Sequence, residues 1–293
     1  MPLDGVAALD NSLDTGGQAF EPVTALGVQA RFIQDLQLGL DVLGNVMEPY
    51  HAEKTFKERR IAWTDELGDL PVSVAVKAAI RQFVEMATHQ GAQLERRALS
   101  GADLEKAWEV GGALAGVTDI SSPSNMPRFF RRFFGARGQQ EGPGAALLRG
   151  LSAAPETFRS REATERILFE RRSIGAIFDR FLADWDVWIC PTFPSAAALD
   201  EGAPGAERGQ TPAGLKLDVD GHPVSQVAAG LGFNLLATLA GNPAVVIPLA
   251  QSKEGLPIGV QIVGRRGWET ELLALADHLT EIGCGYLRPS AMT

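Results

Sequence analysis

Few residues in this sequence have the types and spacing that catalysis or metal binding requires. The chain contains no G-x-S-x-G motif, no H-E-x-x-H motif and no Walker loop. These are common arrangements for a serine nucleophile, a zinc site and a phosphate-binding loop. The four histidines are scattered without metal-ligand spacing: His51, His89, His222 and His278. We interpret them as surface or core residues and predict no metal site.

The two cysteines, Cys190 and Cys284, lie far apart in the sequence. Two thiols cannot complete a zinc site by themselves, and this spacing does not indicate a disulfide framework. We therefore expect free thiols in a reducing compartment.

One glycine-rich stretch, "GLGFNL" (Gly230 to Leu235), begins like a dinucleotide-binding fingerprint. The third glycine position of that fingerprint is occupied by Leu235, and no clear strand precedes the stretch. We favour close helix packing as its role, and we predict no organic cofactor.

The most unusual local composition is "RFFRRFFGAR" (Arg128 to Arg137), in which arginines and phenylalanines alternate in pairs. On a helix these residues would form one basic and one apolar face. That pattern fits a helix that touches a membrane or a partner. It also fits an amphipathic helix that covers the edge of a core, which we favour because such helices usually pack internally.

The composition is that of a soluble globular protein. The chain has 293 residues, of which 45% are hydrophobic, a formal charge of −9 and a sequence pI of about 5.1. An acidic balance disfavours nucleic acid as a partner. The first residues, "MPLDGVAALD", lack the pattern of a signal peptide, and no apolar run is long enough to span a membrane. We predict a cytoplasmic location.

Hydrophobic periodicity predicts an α/β layer architecture for the elements that must position any site. A helix over 28–45 is followed by a short strand over 59–65, a helix over 71–91 and a strand at "AQLERR" (92–97). This is one β-α-β unit. Within its helix, apolar residues recur at the spacing of a buried face: Val76, Ile80, Phe83 and Ala87.

The remaining pattern predicts helices within 103–117, over 155–185 and over 227–239, a strand over 186–191 and a last helix from Trp268. Residues 199–224 are rich in Gly, Pro and Asp and are expected to form a long loop. The strands at 244–250 and 257–264 are apolar on both faces, which predicts cover on both sides. Gly241 is the expected C-cap before them, and Gly255 is expected to have a positive φ in their turn.

The order of these segments resembles the amidase signature family. "TLAGNPAVVIPLAQSKEGLPIGVQIVG" and "ADWDVWICPTFPSAA" are similar to the C-terminal part of that family, and "LDVDGHPVSQ" is similar to a segment of its acetamidase-like branch. "PLDGVAALDNSLDT" followed by "ARFIQDLQLGLDVL" looks like the stretch just downstream of the family's nucleophile. The resemblance covers essentially the whole chain and is weakest over 68–165.

The resemblance implies a large α/β domain, with a mixed β-sheet flanked by helices, that hydrolyses carboxamides to an acid and ammonia or an amine. In the family a lysine removes a proton through a bridging cis-serine, and a second serine attacks the carbonyl. A neutral hydroxyl requires such an adjacent base, and the developing oxyanion requires fixed donors.

The sequence departs from the family at this triad. No lysine precedes Lys54, and no Ser-Gly-Gly-Ser-Ser-Gly-Gly run occurs. "DTGG" (Asp14 to Gly17) looks like the nucleophile loop, but Gln18 stands where that loop has serine. We therefore predict one partial amidase signature domain over 1–293, truncated relative to the family. It has no catalytic residue of its own and is expected to be inactive alone.

Two roles follow for such a chain. In the first, an N-terminal segment completes an amidase for small-molecule amides, and this chain supplies a pocket wall. The wall would contain Thr192, Phe193 and Pro194 after a strand, and Asn234, Thr238 and Asn242 near the late helix; Asn242 also fits a plain turn residue. In the second role, the chain is a non-catalytic remnant or interaction protein. A fragment should expose apolar surface and self-associate, whereas a chain adapted to exist alone should have polar cover there.

Overall fold

The computed structural model describes residues 27–44, 55–117, 141–157, 160–196, 216–281 and 284–285. The predictions made for Asp14–Gly17, His51 and Arg128–Arg137 lie outside these ranges.

Seven α-helices and seven strands are found in the described residues. The helices are α1 (Ile33–Gly44), α2 (Val74–His89), α3 (Gly101–Val117), α4 (Ala145–Thr157), α5 (Arg161–Phe181), α6 (Gln226–Ala240) and α7 (Glu269–Glu281). The strands are β1 (Arg60–Trp63), β2 (Gln93–Arg96), β3 (Val187–Pro191), β4 (Lys216–Val219), β5 (His222–Ser225), β6 (Ala244–Gln251) and β7 (Pro257–Gly264).

Five of the strands form one mixed sheet in the order β2-β1-β3-β7-β6. Strand β1 is parallel to both β2 and β3, whereas β7 is antiparallel to both β3 and β6. The predicted α/β fold with a mixed sheet and flanking helices is therefore confirmed. Strands β4 and β5 form a separate antiparallel hairpin.

Helices cover both faces of the sheet. Gln261 and Gly264 are three positions apart in β7, so they point to opposite faces. The side chain of Gln261 bonds to α6, whereas a Cβ on Gly264 would lie 2.9 Å from Leu272 of α7. Helix α5 reaches the sheet through Phe178, whose ring centroid lies 6.2 Å from that of Trp188 in β3.

The β-α-β unit forms as its periodicity predicts. Ser73 begins α2 by accepting a hydrogen bond from the Val76 amide at 3.3 Å, which satisfies one of the free N–H groups of the first turn. The four predicted inward residues of α2 are all buried. Gly91 follows the helix with φ +92°, a conformation that glycine adopts without steric cost.

Two sequence predictions need correction. The helical pattern over 155–185 is two helices, because the Ser160 hydroxyl accepts the Ala163 amide at 3.1 Å and caps a new helix, α5. The predicted loop over 199–224 contains the hairpin of β4 and β5 at its end. Asp220 and Gly221 turn this hairpin with φ of 51° and 86°, and aspartate and glycine are among the residues that tolerate that region.

The prediction that both late strands are covered on two faces is right for β7 and wrong for β6. Residues 260–264 of β7 are all buried, whereas exposed and buried residues alternate along the first part of β6. Val246, for example, is 52% exposed. The reason is that the exposed positions share one face of β6 that is left without full cover, at the edge of the sheet among the described residues. Gly241 and Gly255 have the expected positive φ, at 75° and 78°.

Candidate functional site

Two groups of predicted wall residues meet at a buried glutamine that sequence reasoning did not single out. The Nε2 atom of Gln261 donates to the carbonyl of Pro191 at 3.0 Å and to the carbonyl of Phe233 at 2.9 Å. Thr192 directly follows Pro191, and Asn234 directly follows Phe233. The structure therefore brings the end of β3 and the middle of α6 together on one side chain.

The loop after β3 is held at both ends. Thr192 and Phe193 are half-buried, and Pro194 is buried. The Pro194 carbonyl accepts a hydrogen bond from the Ser73 amide at 2.7 Å, which joins the loop to the start of α2. The Thr192 hydroxyl is shielded from solvent and has no hydrogen-bond partner among the described residues. A Cβ on Gly259 of β7 would lie 3.7 Å from it.

Asn234 and Thr238 lie on the same side of α6, because residues four positions apart share a helix face. Asn234 is exposed, and its Nδ2 donates to the Gly230 carbonyl at 2.9 Å. Thr238 is half-buried, and its carbonyl accepts the Gly241 amide at 3.1 Å. Both side chains are thus placed on a regular helix.

Asn242 has a different environment from the other five predicted residues. It is buried, and its Nδ2 donates to the Gly264 carbonyl at 2.7 Å, while its own amide donates to the Ala237 carbonyl at 2.9 Å. It lies beyond Ala240, the last residue of α6, whereas Asn234 lies in the middle of that helix. These bonds join the end of α6 to the end of β7, as expected of a turn residue.

Two cavities in the described part of the chain lie elsewhere. One of about 450 Å³ is lined by residues 27–30, α1, α7 and the start of β6. The other, of about 320 Å³, lies between the start of α1, the middle of β6 and the end of α7. None of the six predicted residues lines either cavity. We take the junction of β3 and α6 as the candidate site because polar groups and the predicted wall residues converge there, whereas the cavities contain none of the six predicted residues.

An ion-pair network lies at the carboxyl end of β1, the strand parallel to β3. Asp65 is fully buried and accepts from Arg81 Nε at 2.7 Å and from Arg96 Nη2 at 2.8 Å. Burial by itself raises the pKa of Asp65, but the hydrogen bonds and charges of Arg96 and Arg81 outweigh it and lower this pKa below its usual value. The two arginines are about half exposed.

Asp65→Asn is expected to lower the free energy of unfolding at pH 7 by about 2 kcal/mol, because charged hydrogen bonds are lost at a buried group. A carboxylate whose pKa is depressed on folding stabilises the fold above its unfolded pKa of about 3.9. That contribution is lost as pH falls through the lower, folded pKa. Denaturant titrations from pH 3 to pH 7 should therefore show the variant and the wild type converging at the acidic end.

The control for this measurement is Glu66→Gln, which removes an exposed carboxylate that also contacts Arg96, at 2.8 Å. Exposed ion pairs contribute less than about 1 kcal/mol. If the difference in the free energy of unfolding between Asp65→Asn and the wild type stays constant down to pH 3, the stabilising role assigned to the Asp65 carboxylate is wrong.

Neither cysteine offers a reactive thiolate. Burial raises the pKa of Cys190 far above its usual value, and the neighbouring Gln261 amide opposes this only in part. Burial also raises the pKa of Cys284, to about 11.

Among the described residues no group of three or more His, Cys, Asp or Glu side chains is arranged to hold a metal ion. No described helix has both the length and the apolar character needed to cross a membrane.

The signal that could have found Gln261 is its place in "PIGVQIVG". A polar side chain within a buried strand must find hydrogen-bond partners, because an unpaired buried amide is costly. Sequence alone does not show which carbonyls those partners are.

The sequence is similar to parts of several curated proteins. Over 128 residues it is 34% identical to the fatty acid amide hydrolase of Arabidopsis thaliana, covering 43% of this chain and 19% of that protein. Over 100 residues it is 31% identical to the 6-aminohexanoate-cyclic-dimer hydrolase of a Pseudomonas species, covering 33% of this chain and 19% of that protein.

The fold is similar to that of solved amidases. A bacterial aryl acylamidase of the amidase signature family aligns with a TM-score of 0.62 and 17% identity, over 91% of this chain and 55% of that chain. A fatty acid amide hydrolase aligns with a TM-score of 0.61 and 15% identity, over 90% of this chain and 49% of that chain. The chain thus spans about half the length of these solved relatives and matches about a fifth of the curated ones.

The family model described as Amidase matches residues 21–273. The chain therefore belongs to the amidase family, and the resemblance read from its late strands is confirmed. Its assignment to the acetamidase-like branch stays a prediction.

Proposed function

We propose that this chain is the part of an amidase that forms one wall of the acyl pocket, and that it hydrolyses no amide by itself. In the completed protein the reaction converts a small-molecule carboxamide and water into a carboxylic acid and ammonia or an amine, through a serine acyl-enzyme. The match of the Amidase family model over residues 21–273 carries this proposal. The nucleophile and its base would come from another polypeptide segment, because the Ser-Gly-Gly-rich run is missing from the sequence.

Within the proposed wall, the described residues have distinct roles. Thr192 and Phe193 would face the substrate from the end of β3, with Pro194 fixing the loop to α2 through its carbonyl. Asn234 and Thr238 would face it from α6. Asn242 would support the wall from behind, since it is buried and bonded to Gly264. The domain assignment, 1–293 as one partial domain in the cytoplasm, belongs to the same proposal.

Purified chain 1–293 is expected to release no ammonia from acetamide, propionamide or benzamide above the enzyme-free blank, because the family's Ser-Gly-Gly-rich nucleophile run is missing from its sequence and a hydroxyl nucleophile requires an adjacent base. A coupled ammonia assay measures this, with added ammonium chloride as the positive control for the assay conditions. Ammonia release that scales with the concentration of this chain would overturn the proposed inactivity.

A second candidate is a non-catalytic role as an interaction protein on an amidase scaffold, and exposed apolar side chains favour it. Helix α1 exposes Leu38 at 63% and Val42 at 74%, and Phe32 just before it is 57% exposed. Val246 on β6 adds a fourth such residue. Apolar surface of this kind is typical of contacts with other polypeptides, and it also supports the proposed self-association. Light scattering on the purified chain would separate a monomer from an associated form.

A further inference from the structure

We propose that Gln261 is a positioning residue that couples the two halves of the candidate pocket wall, so that the loop after β3 and the middle of α6 move as one unit. This inference deepens the proposed function and rests on it for its catalytic meaning. The juxtaposition itself is a property of the chain.

The coupling follows from the chemistry of a primary amide. The Nε2 group carries two protons, and the structure directs one to the Pro191 carbonyl at 3.0 Å and the other to the Phe233 carbonyl at 2.9 Å. Gln261 is only 3% exposed, so water does not replace either bond. A methionine has the length to fill the space but no donor, and an asparagine is one methylene shorter.

The two carbonyls belong to elements that are distant in sequence. The bond to Pro191 spans 70 positions, and the bond to Phe233 spans 28. The Phe233 carbonyl lies within α6, so it accepts from Gln261 in addition to its place in the helix. Strand β7, which carries Gln261, lies between β3 and β6 in the sheet, so the glutamine is anchored by pairing on both sides.

The two bonds constrain the positions of Thr192 and Asn234, because each of these residues directly follows a residue whose carbonyl accepts a hydrogen bond from Gln261. If either element shifts, the Gln261 amide must lose one bond or carry the other element with it. The distance between the two groups of wall residues is thereby fixed, whereas simple packing of Phe233 against the sheet would permit sliding. A pocket wall built from two elements requires this kind of fixation, because a misplacement of about 1 Å is costly for catalysis.

Hydrogen exchange of the intact chain tests the coupling directly. Gln261→Met is expected to accelerate exchange at least tenfold both at the Ser73 amide, which donates to the Pro194 carbonyl at 2.7 Å, and in 233–238. The matched control is Trp108→Phe, which removes the hydrogen bond from Trp108 Nε1 to the Gly232 carbonyl at 2.8 Å and so loosens α6 without removing a bond to the loop after β3. It should accelerate exchange in 233–238 and leave the Ser73 amide within twofold of the wild type. Acceleration of only one element in Gln261→Met, or the same pattern in both variants, would refute the coupling.

Gln261→Glu keeps the test decisive if Gln261→Met does not fold. A buried glutamate facing two carbonyls is disfavoured in its charged form, and its protonated form can donate to one carbonyl. After correction for intrinsic rates, exchange at the Ser73 amide and in 233–238 should therefore be at least threefold faster at pH 8 than at pH 5. A role limited to filling volume predicts that ionisation of the buried glutamate loosens the two segments no more than it loosens α5, so an acceleration that is equal in α5, or a flat profile, would overturn the proposal.

The catalytic meaning is tested separately, in the completed protein. There Gln261→Met is expected to raise KM for the amide at least tenfold and to lower kcat less than threefold. If the wild-type completed protein hydrolyses no amide, the proposed function fails, whereas the exchange measurements still decide whether Gln261 couples the two elements.

Discussion

Gly150→Ala is expected to lower the free energy of unfolding by about 3 kcal/mol, although alanine favours helices by about 1 kcal/mol over glycine. Gly150 of α4 packs directly on the backbone of α3. A Cβ there would lie 2.1 Å from the Glu109 carbonyl oxygen and 3.0 Å from the Ala113 amide nitrogen. Because both neighbours are backbone atoms, no side-chain rotation can relieve the overlap, and the two helices must separate.

A second glycine contact between α3 and α4 makes the separation of these two helices more costly in free energy. Gly112 of α3 faces α4 in the same way, since its Cβ would lie 2.4 Å from the Leu147 carbonyl oxygen. The two glycines therefore define one interface. Moving the helices apart weakens dispersion contacts along its whole length, and those contacts fall off steeply with distance.

Gly230→Ala is the matched control, because it is the same chemical change within a helix. Apart from its chain neighbours and the backbone of its own helix, no heavy atom of the described residues lies within 4 Å of the position of its Cβ. Helix propensity should then dominate, and the variant should gain up to about 1 kcal/mol. In urea titrations, the unfolding midpoint of Gly150→Ala is expected to move to lower urea concentration and that of Gly230→Ala to higher urea concentration. Equal shifts would show that the α3–α4 contact is looser than described.

Arg59→Met is expected to destabilise the fold by about 3 kcal/mol, because it removes one partner of a buried ion pair. The Arg59 side chain is 1% exposed, and its guanidinium contacts the Glu271 carboxylate, whose side chain is 12% exposed. The pair joins the residue before β1 to the first turn of α7. Without Arg59, the carboxylate loses the cation that offsets its burial. Thermal and urea unfolding of the variant measure the loss.

Two further variants separate charge from packing. Glu271→Leu combined with Arg59→Met should recover much of the stability, because an apolar pair of similar volume can replace a buried ion pair. Arg161→Ala removes an ion pair whose side chains are 92% and 63% exposed, and such pairs contribute about 0.5 kcal/mol or less. A double variant as unstable as Arg59→Met alone would assign the effect to lost packing of the arginine.

Most of the layer architecture could be predicted from the sequence, because it depends on local periodicity. The alternation of apolar residues in α2 and the capping sequence at Ser73 determine a helix whatever surrounds it. The division between α4 and α5 was harder to predict. The pattern continues across Ser160, and only the bond from the Ala163 amide shows that a new helix begins there.

The exposure of β6 could not be predicted, because it depends on strand order. Its residues are as apolar as those of β7, but nothing in the described part of the sheet lies beyond it. The candidate site was predictable in part. A strand that ends at Pro191 points to the loop that follows it, whereas the bond from Gln261 to Phe233 depends on tertiary packing.

The pairing of β1 with β3 has a consequence for the order in which the molecule folds. Arg60 and Asp186, which bond beside this pairing, are 126 positions apart, whereas β6 and β7 are joined by a short turn. Closing the longer loop requires a larger loss of chain entropy before any contact is gained. Long-range pairings of this kind are the slow ones. The hairpin of β6 and β7 can therefore form early with Gln261 already in place, and the end of β3 reaches that glutamine only when the sheet closes.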